Sequence, residues 1–122
     1  HMEVLRKKEE FRLDSQIRDC AILLMPSFEE KNIQLEAELP EMKFYGNEEL
    51  MKEVWVNLLD NARKYSSEGN LVFVEGKVTQ DDLWITVRDE GQGMDEQTKQ
   101  HLFERYYQGD ASHEREPLSL YF

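Results

Sequence analysis

A chain of 122 residues fits one domain, set against a usual size of roughly 150. Fifteen Lys and Arg against 26 Asp and Glu give a net charge of −11, which repels nucleic acid phosphates and anionic lipid, so no nucleic acid partner is expected. The 39% hydrophobic content supports a core, the lone Cys20 is too few for a disulfide or a zinc site and fits a reducing compartment, and the longest apolar run, Ala21 to Met25, is far short of a membrane span.

In chain order, His1-Met2 reads as a cloning scar and is set aside. Glu3 to Glu10 is charged and helix-prone without an apolar face of its own, and reads as the tail of a helix or linker. Phe11, Leu13 and Ile17 suggest a short strand-like opening. A helix is then predicted from about Arg18 to Lys31, with Pro26 kinking it or starting a fresh first turn. Ile33, Leu35 and Ala37 alternate with Gln34, Glu36 and Glu38, the pattern of a half-buried strand. Pro40 ends it, and Met42 to Tyr45 reads as another short strand.

Asn47 is a good N-cap, and Glu48 and Glu49 suit the positive end of a helix dipole. The helix is predicted to run to about Tyr65, with Leu50, Val54, Leu58 and Ala62 as its apolar stripe. Ser66 to Asn70 is turn chemistry, and strands follow over Leu71 to Thr79 and Leu83 to Arg88, joined through Gln80-Asp81-Asp82. In the second strand Leu83, Ile85 and Val87 point one way and Trp84, Thr86 and Arg88 the other. A hairpin mixed with helices predicts an α+β fold in two layers, a sheet with helices on one face.

Two constellations carry possible chemistry. Glu53, Asn57, Asn61 and Lys64 share one face of the long helix. Asn is a mediocre helix former, so two of them mid-helix suggest another use. An amide oxygen is a hard ligand that suits Mg²⁺, and a lysine one turn on meets a phosphate as a point charge. From the helix alone, a plain solvated face is the favoured reading. The second constellation is Asp89-Glu90-Gly91-Gln92-Gly93, directly after an alternating strand. Its glycines let backbone approach a flat ligand closely, and an aspartate there accepts from an exocyclic amine such as that of adenine. Alone, this run is a weak signal and lacks the spacing of a dinucleotide fingerprint or a P-loop.

Taken together, Asn57-Leu58-Leu59-Asp60-Asn61-Ala62-Arg63-Lys64-Tyr65-Ser66, Asp89-Glu90-Gly91-Gln92-Gly93-Met94 and Leu102-Phe103-Glu104-Arg105-Tyr106-Tyr107 resemble the ATP-binding domain of two-component sensor histidine kinases. The resemblance runs from Phe11 onward, so it implies a domain over residues 11–122 and a linker end over 3–10 from a dimerisation helix. It implies the fold shared by gyrase, Hsp90, MutL and these kinases: a mixed sheet backed by helices, with ATP under a mobile lid. By position it implies Asn61 as the Mg²⁺ ligand supported by Asn57, Lys64 on the phosphates, and Tyr65 against the adenine. Asp89 would accept from the adenine amine, Gly91 and Gly93 would give the base room, Phe103 would anchor the lid, and Arg105 would contact phosphate. Glu53 has no clear family role and reads as a surface carboxylate.

The resemblance further implies ATP and Mg²⁺ as cofactors, a cytoplasmic domain of a membrane-anchored parent, and two protein partners: the parent's own dimerisation domain, which carries the phosphoacceptor histidine, and a response regulator. Two departures stand out. No phosphoacceptor box lies upstream: His101 is expected as an exposed bystander in the helix of a lid that runs from Asp95 to Asp110, and His113-Glu114-Arg115-Glu116-Pro117 is too short and misplaced. No second glycine box follows the lid, since no glycine follows Gly109. A domain lacking its last helix and strands is therefore expected, with little nucleotide affinity and with self-association through an exposed sheet edge or by exchange of C-terminal segments. A degenerate, non-catalytic interaction module of the same fold is the alternative reading, and another ATPase of that fold is a third.

Overall fold

The computed structural model describes residues 7–91, 94–103 and 119–121, with side chains described for 7–90. The element order is β1 (Glu9–Arg12), α1 (Leu13–Glu30), β2 (Gln34–Glu38), β3 (Lys43–Gly46), α2 (Glu48–Tyr65), β4 (Leu71–Val78), β5 (Asp82–Gly91), β6 (Met94–Phe103) and β7 (Ser119–Tyr121). A five-stranded sheet runs β2-β4-β5-β6-β7, and β1 and β3 form a separate two-stranded sheet. β2 lies parallel to β4, which requires a crossover that β3 and α2 supply. The β4–β5, β5–β6 and β6–β7 pairs are antiparallel. The sheet is mixed and the class α+β, as expected.

One face of the sheet meets the two helices. Val72 and Val74 of β4 and Leu83, Ile85 and Val87 of β5 are buried, and they pack with Leu13, Ile17 and Phe28 of α1 and Trp55, Leu58 and Leu59 of α2. The alternation in β5 falls as the sequence predicts. Trp55 is large and polar at its edge, so its burial needs a partner for the indole N–H. Gln16 provides it: Trp55 Nε1 donates to Gln16 Oε1 at 2.8 Å, and Gln16 Nε2 donates to the Glu48 carbonyl at 2.7 Å. One amide thus joins α1 to the first turn of α2.

Three expectations need correction. First, α1 starts at Leu13 rather than near Arg18, and it continues through Pro26 to Glu30. Leu13, Ile17, Cys20, Ala21 and Phe28 are its buried apolar residues, a helical spacing that the Phe11–Leu13 alternation masks. Pro26 and Ile22, whose carbonyl the proline cannot bond, both lie on the exposed face of the helix. Glu9 and Glu10, within the stretch read as a linker, stand in β1 beside Gly46 and Tyr45. Second, the buried stripe of α2 is Met51, Trp55, Leu58 and Leu59, whereas Leu50 is exposed and Val54 and Ala62 are half-buried. Third, the expected lid helix is a strand where it is described: Met94–Phe103 pairs along β5, with Gly91 opposite Met94. His101 accordingly stands in β6, opposite Trp84. Without β6, β5 is an edge with unpaired N–H and C=O groups, and sheet pairing outweighs the helical preference of Glu, Gln and Lys there.

Candidate functional site

Helix α2 carries four of the candidate residues. Asn47 caps it, accepting from the Leu50 amide at 2.8 Å, and Glu48 and Glu49 fill its first turn. Asn57, Asn61, Lys64 and Tyr65 are exposed, away from the Met51–Trp55–Leu58 stripe, and Tyr65 is 79% exposed. The two asparagines therefore have no packing duty. Lys64 Nζ stands 3.5 Å from Asp60 Oδ2, and Arg63 donates to Asp60 Oδ1 through Nε at 3.1 Å and Nη2 at 2.9 Å. The hydrogen bond from Arg63 holds the Asp60 carboxyl below its usual range, so Asp60 is ionised and tethers Lys64 along the helix.

The C-terminal end of α2 is braced from the α1–β2 turn. Lys31 Nζ donates to the carbonyls of Arg63 and Lys64, each at 2.9 Å, placing a cation at the negative end of the helix dipole. The chain then turns. The Gly69 amide donates to the Asn32 carbonyl at 2.8 Å, the Asn70 amide to the Ser67 carbonyl at 3.1 Å, and the Gln34 amide to the Asn70 carbonyl at 3.0 Å. Gly69 has φ +88, a left-handed conformation that suits glycine. The Ser66 hydroxyl is buried without a hydrogen-bond partner among the described residues.

Asp89 lies near the end of β5. It pairs with Val72, two residues after Val87, so it projects from the helix-facing side of the sheet. It is half-buried, and Asn70 Nδ2 donates to its Oδ1 at 3.0 Å. The turn from Ser66 to Asn70 therefore connects the end of α2, with Lys64 and Tyr65, directly to the Asp89 carboxylate. Gly91 closes β5. Phe103 is not gathered with this group: its backbone pairs with Asp82, seven positions along β5 from Asp89, or about 23 Å. Gly93 and Arg105 lie outside the described residues.

Two further features lie elsewhere. A groove of about 450 Å³ opens at the other end of the helix pair, lined by residues including Arg12, Asp19, Glu48, Glu49 and Lys52, and no candidate residue lines it. Among the described residues no group of three or more His, Cys, Asp or Glu side chains is arranged to hold a metal. No helix there is long and apolar enough to cross a membrane. The sequence reading passed over Asn70, Lys31 and Asp60. Asn70 read as turn chemistry alone, and the positive φ of Asn32 and Gly69 that brings its turn onto α1 is not visible in the order of residues.

The architecture is a mixed sheet backed by two helices, with polar groups gathered where α2 ends beside β5. Residues 46–121 match the family model described as histidine kinase-, DNA gyrase B- and HSP90-like ATPase, and the chain belongs to that family. It is 33% identical over 94 residues to the heme sensor protein HssS of Staphylococcus saprophyticus, covering 77% of this chain and 20% of that protein. It is 34% identical over 97 residues to the adaptive-response sensory kinase SasA of Rippkaea orientalis, covering 76% of this chain and 25% of that one. The chain thus spans a quarter or less of these relatives' length. Among solved structures, the catalytic domain of histidine kinase ThkA superposes with a TM-score of 0.66 at 20% identity, over 72% of this chain and 61% of that one. The cytoplasmic segment of histidine kinase QseC superposes with a TM-score of 0.62 at 26% identity, over 74% of this chain and 58% of that one.

Proposed function

We propose that this chain is the ATP-binding catalytic domain of a sensor histidine kinase. The observation that carries the reading is the junction of α2 with β5, where exposed Asn57, Asn61, Lys64 and Tyr65 lead through one braced turn to a carboxylate whose Oδ2 has no donor among the described residues. In this reading Asp89 accepts from the adenine amine, Tyr65 lies against the base, and Gly91 and Gly93 keep backbone from crowding it. Lys64 exchanges Asp60 for a phosphate. Asn61, supported by Asn57, offers a hard oxygen to Mg²⁺. The chemistry fits an ion held mostly by phosphate oxygens and water, since no acidic cluster competes for it among the described residues. Bound Mg²⁺ would neutralise charge on the phosphates, the main requirement of phosphoryl transfer.

The parent would be membrane-anchored with this domain in the cytoplasm, and would pass the γ-phosphate to a histidine on its own dimerisation domain and then to an aspartate of a response regulator. One solved structure of the same fold, ThkA, is a complex with the response regulator TrrA. Phe103 and Arg105 complete the proposed set as lid anchor and phosphate contact. The pairing of β6 along β5 favours a second reading, in which the domain is a non-catalytic interaction module. Isothermal titration of Mg-ATP and Mg-ADP into the chain separates them. Saturable binding that Asn61→Ala abolishes, with the circular dichroism spectrum unchanged, supports the kinase domain. No binding by a folded chain supports the module.

A further inference from the structure

Asn70 makes contacts that its place in a turn does not require. Its backbone is fixed on both sides: the amide donates to the Ser67 carbonyl at 3.1 Å, and the carbonyl accepts from the Gln34 amide at 3.0 Å. The neighbouring Gly69 is tied to Asn32 at 2.8 Å, and the adjoining helix end is held by Lys31. The side chain is thus presented from a rigid frame rather than from a free loop. It is half-buried and reaches across the start of the β4–β5 ladder, Nδ2 to Asp89 Oδ1 at 3.0 Å.

Chemistry fixes the sense of this bond. A carboxylate only accepts, so the amide must turn its NH₂ toward Asp89. Asn70 then occupies one oxygen and restrains the rotation of the carboxylate, and among the described residues no donor stands on Oδ2. Fixing an acceptor in advance removes a rotational cost from ligand binding. An aspartate that only closed the ladder would need no such tether, since β4 and β5 already pair through Leu71↔Glu90 and Val72↔Asp89.

We infer that Asn70 is a positioning residue that sets the Asp89 carboxylate to accept from the exocyclic amine of adenine, and so sets the preference of the site for adenine over bases that carry a carbonyl there. This inference rests on the adenine role proposed for Asp89. Inosine nucleotides present an acceptor where adenine presents a donor, so they separate base recognition from phosphate binding.

The test is calorimetric titration of the whole chain with Mg-ADP and Mg-IDP, for wild type, Asn70→Ala and Asn70→Gln. The expected result is about a tenfold loss of ADP affinity in Asn70→Ala with little change for IDP, so that the ADP-to-IDP ratio collapses, and partial recovery of the ratio in Asn70→Gln. Equal weakening of both nucleotides, or no change in either, would show a structural role only and overturn the inference while leaving the ATP site standing. Absence of ADP binding by wild type overturns the ATP site and the inference with it. Should Asn70→Ala fail to fold, NMR of the wild-type side-chain amide decides. One slowly exchanging Asn70 Nδ2 proton in the ADP complex is expected, and fast exchange of both protons overturns the inference.

Discussion

Asp14 and Asp89 are both carboxylates gripped by neighbours, and they differ in what remains open. Asp14 is buried and has four donors: Arg12 Nε at 2.8 Å and Nη2 at 2.7 Å, Arg18 Nη1 at 2.8 Å, and the Met42 amide at 3.0 Å. The hydrogen bond from Arg12, helped by Met42 and Arg18, holds its carboxyl well below the usual range despite burial. With both oxygens filled it has nothing left for a ligand, and its work is to pin α1 to the segment before β3. Asp14→Ala leaves the Met42 amide unpaired and is expected to cost about 2–3 kcal/mol at neutral pH. The folded pKa is depressed, so this contribution is whole above the unfolded value of about 3.9 and is lost as pH falls below it. Urea denaturation of wild type and Asp14→Ala at pH 7 and pH 3 checks this, the gap between them narrowing at the lower pH. Among the described residues Asp89 has one donor, from Asn70. Asp89→Asn is expected to leave the urea midpoint nearly unchanged and to weaken Mg-ADP roughly ten- to a hundredfold, read by calorimetry. An unchanged affinity would remove Asp89 from the site.

Helix α2 shows which features a sequence makes legible. Its bounds and cap are local chemistry: Asn47 followed by two glutamates specifies the start without reference to the rest of the chain. Asn47→Ala is expected to cost about 1 kcal/mol, seen as a lower midpoint in thermal unfolding followed by circular dichroism. The buried stripe of the same helix was misplaced because the partner decides it. Leu50 and Met51 are both apolar, and packing against α1 and the sheet, which includes the tie of Trp55 to Gln16, 39 residues away, leaves Met51 inward and Leu50 outward. The face bearing Asn57, Asn61 and Lys64 was legible for the complementary reason, since polar residues with no packing role keep the helical period whatever the sheet does. Segment 94–103 is the opposite case. Its residues favour a helix, and the free edge of β5 decides for a strand. The turn at Gly69 lies between these cases: glycine marked it, but its docking on Asn32 depends on α1. Gly69→Ala places a side chain at φ +88 and is expected to cost about 1 kcal/mol. It should also weaken ADP binding, because it loosens the frame that presents Asn70; unchanged ADP affinity in a destabilised variant would uncouple the turn from the site.

The arrangement of layers leaves the protein with a defined weakness. β2 is the last strand on its side of the five-stranded sheet, and among the described residues it pairs only with β4. An unpaired edge invites a second copy, and natural proteins guard such edges with charge. Glu36 and Glu38 stand exposed on β2, and the chain as a whole carries −11. Two copies approaching edge to edge therefore bring four carboxylates together against a general repulsion. Added salt shortens the reach of that repulsion from about 10 Å at 0.1 M to about 3 Å at 1 M, while leaving backbone pairing and apolar contact intact. Self-association is accordingly expected to be weak at low ionic strength and to grow with salt, and Glu36→Thr with Glu38→Thr should produce it without added salt. Light scattering coupled to size exclusion, over a dilution series at 0.05 M and 1 M NaCl, reads the mass directly. A wild-type mass that is the same at both salt concentrations, together with a double variant of that same mass at 0.05 M NaCl, would show that these carboxylates do not guard the edge.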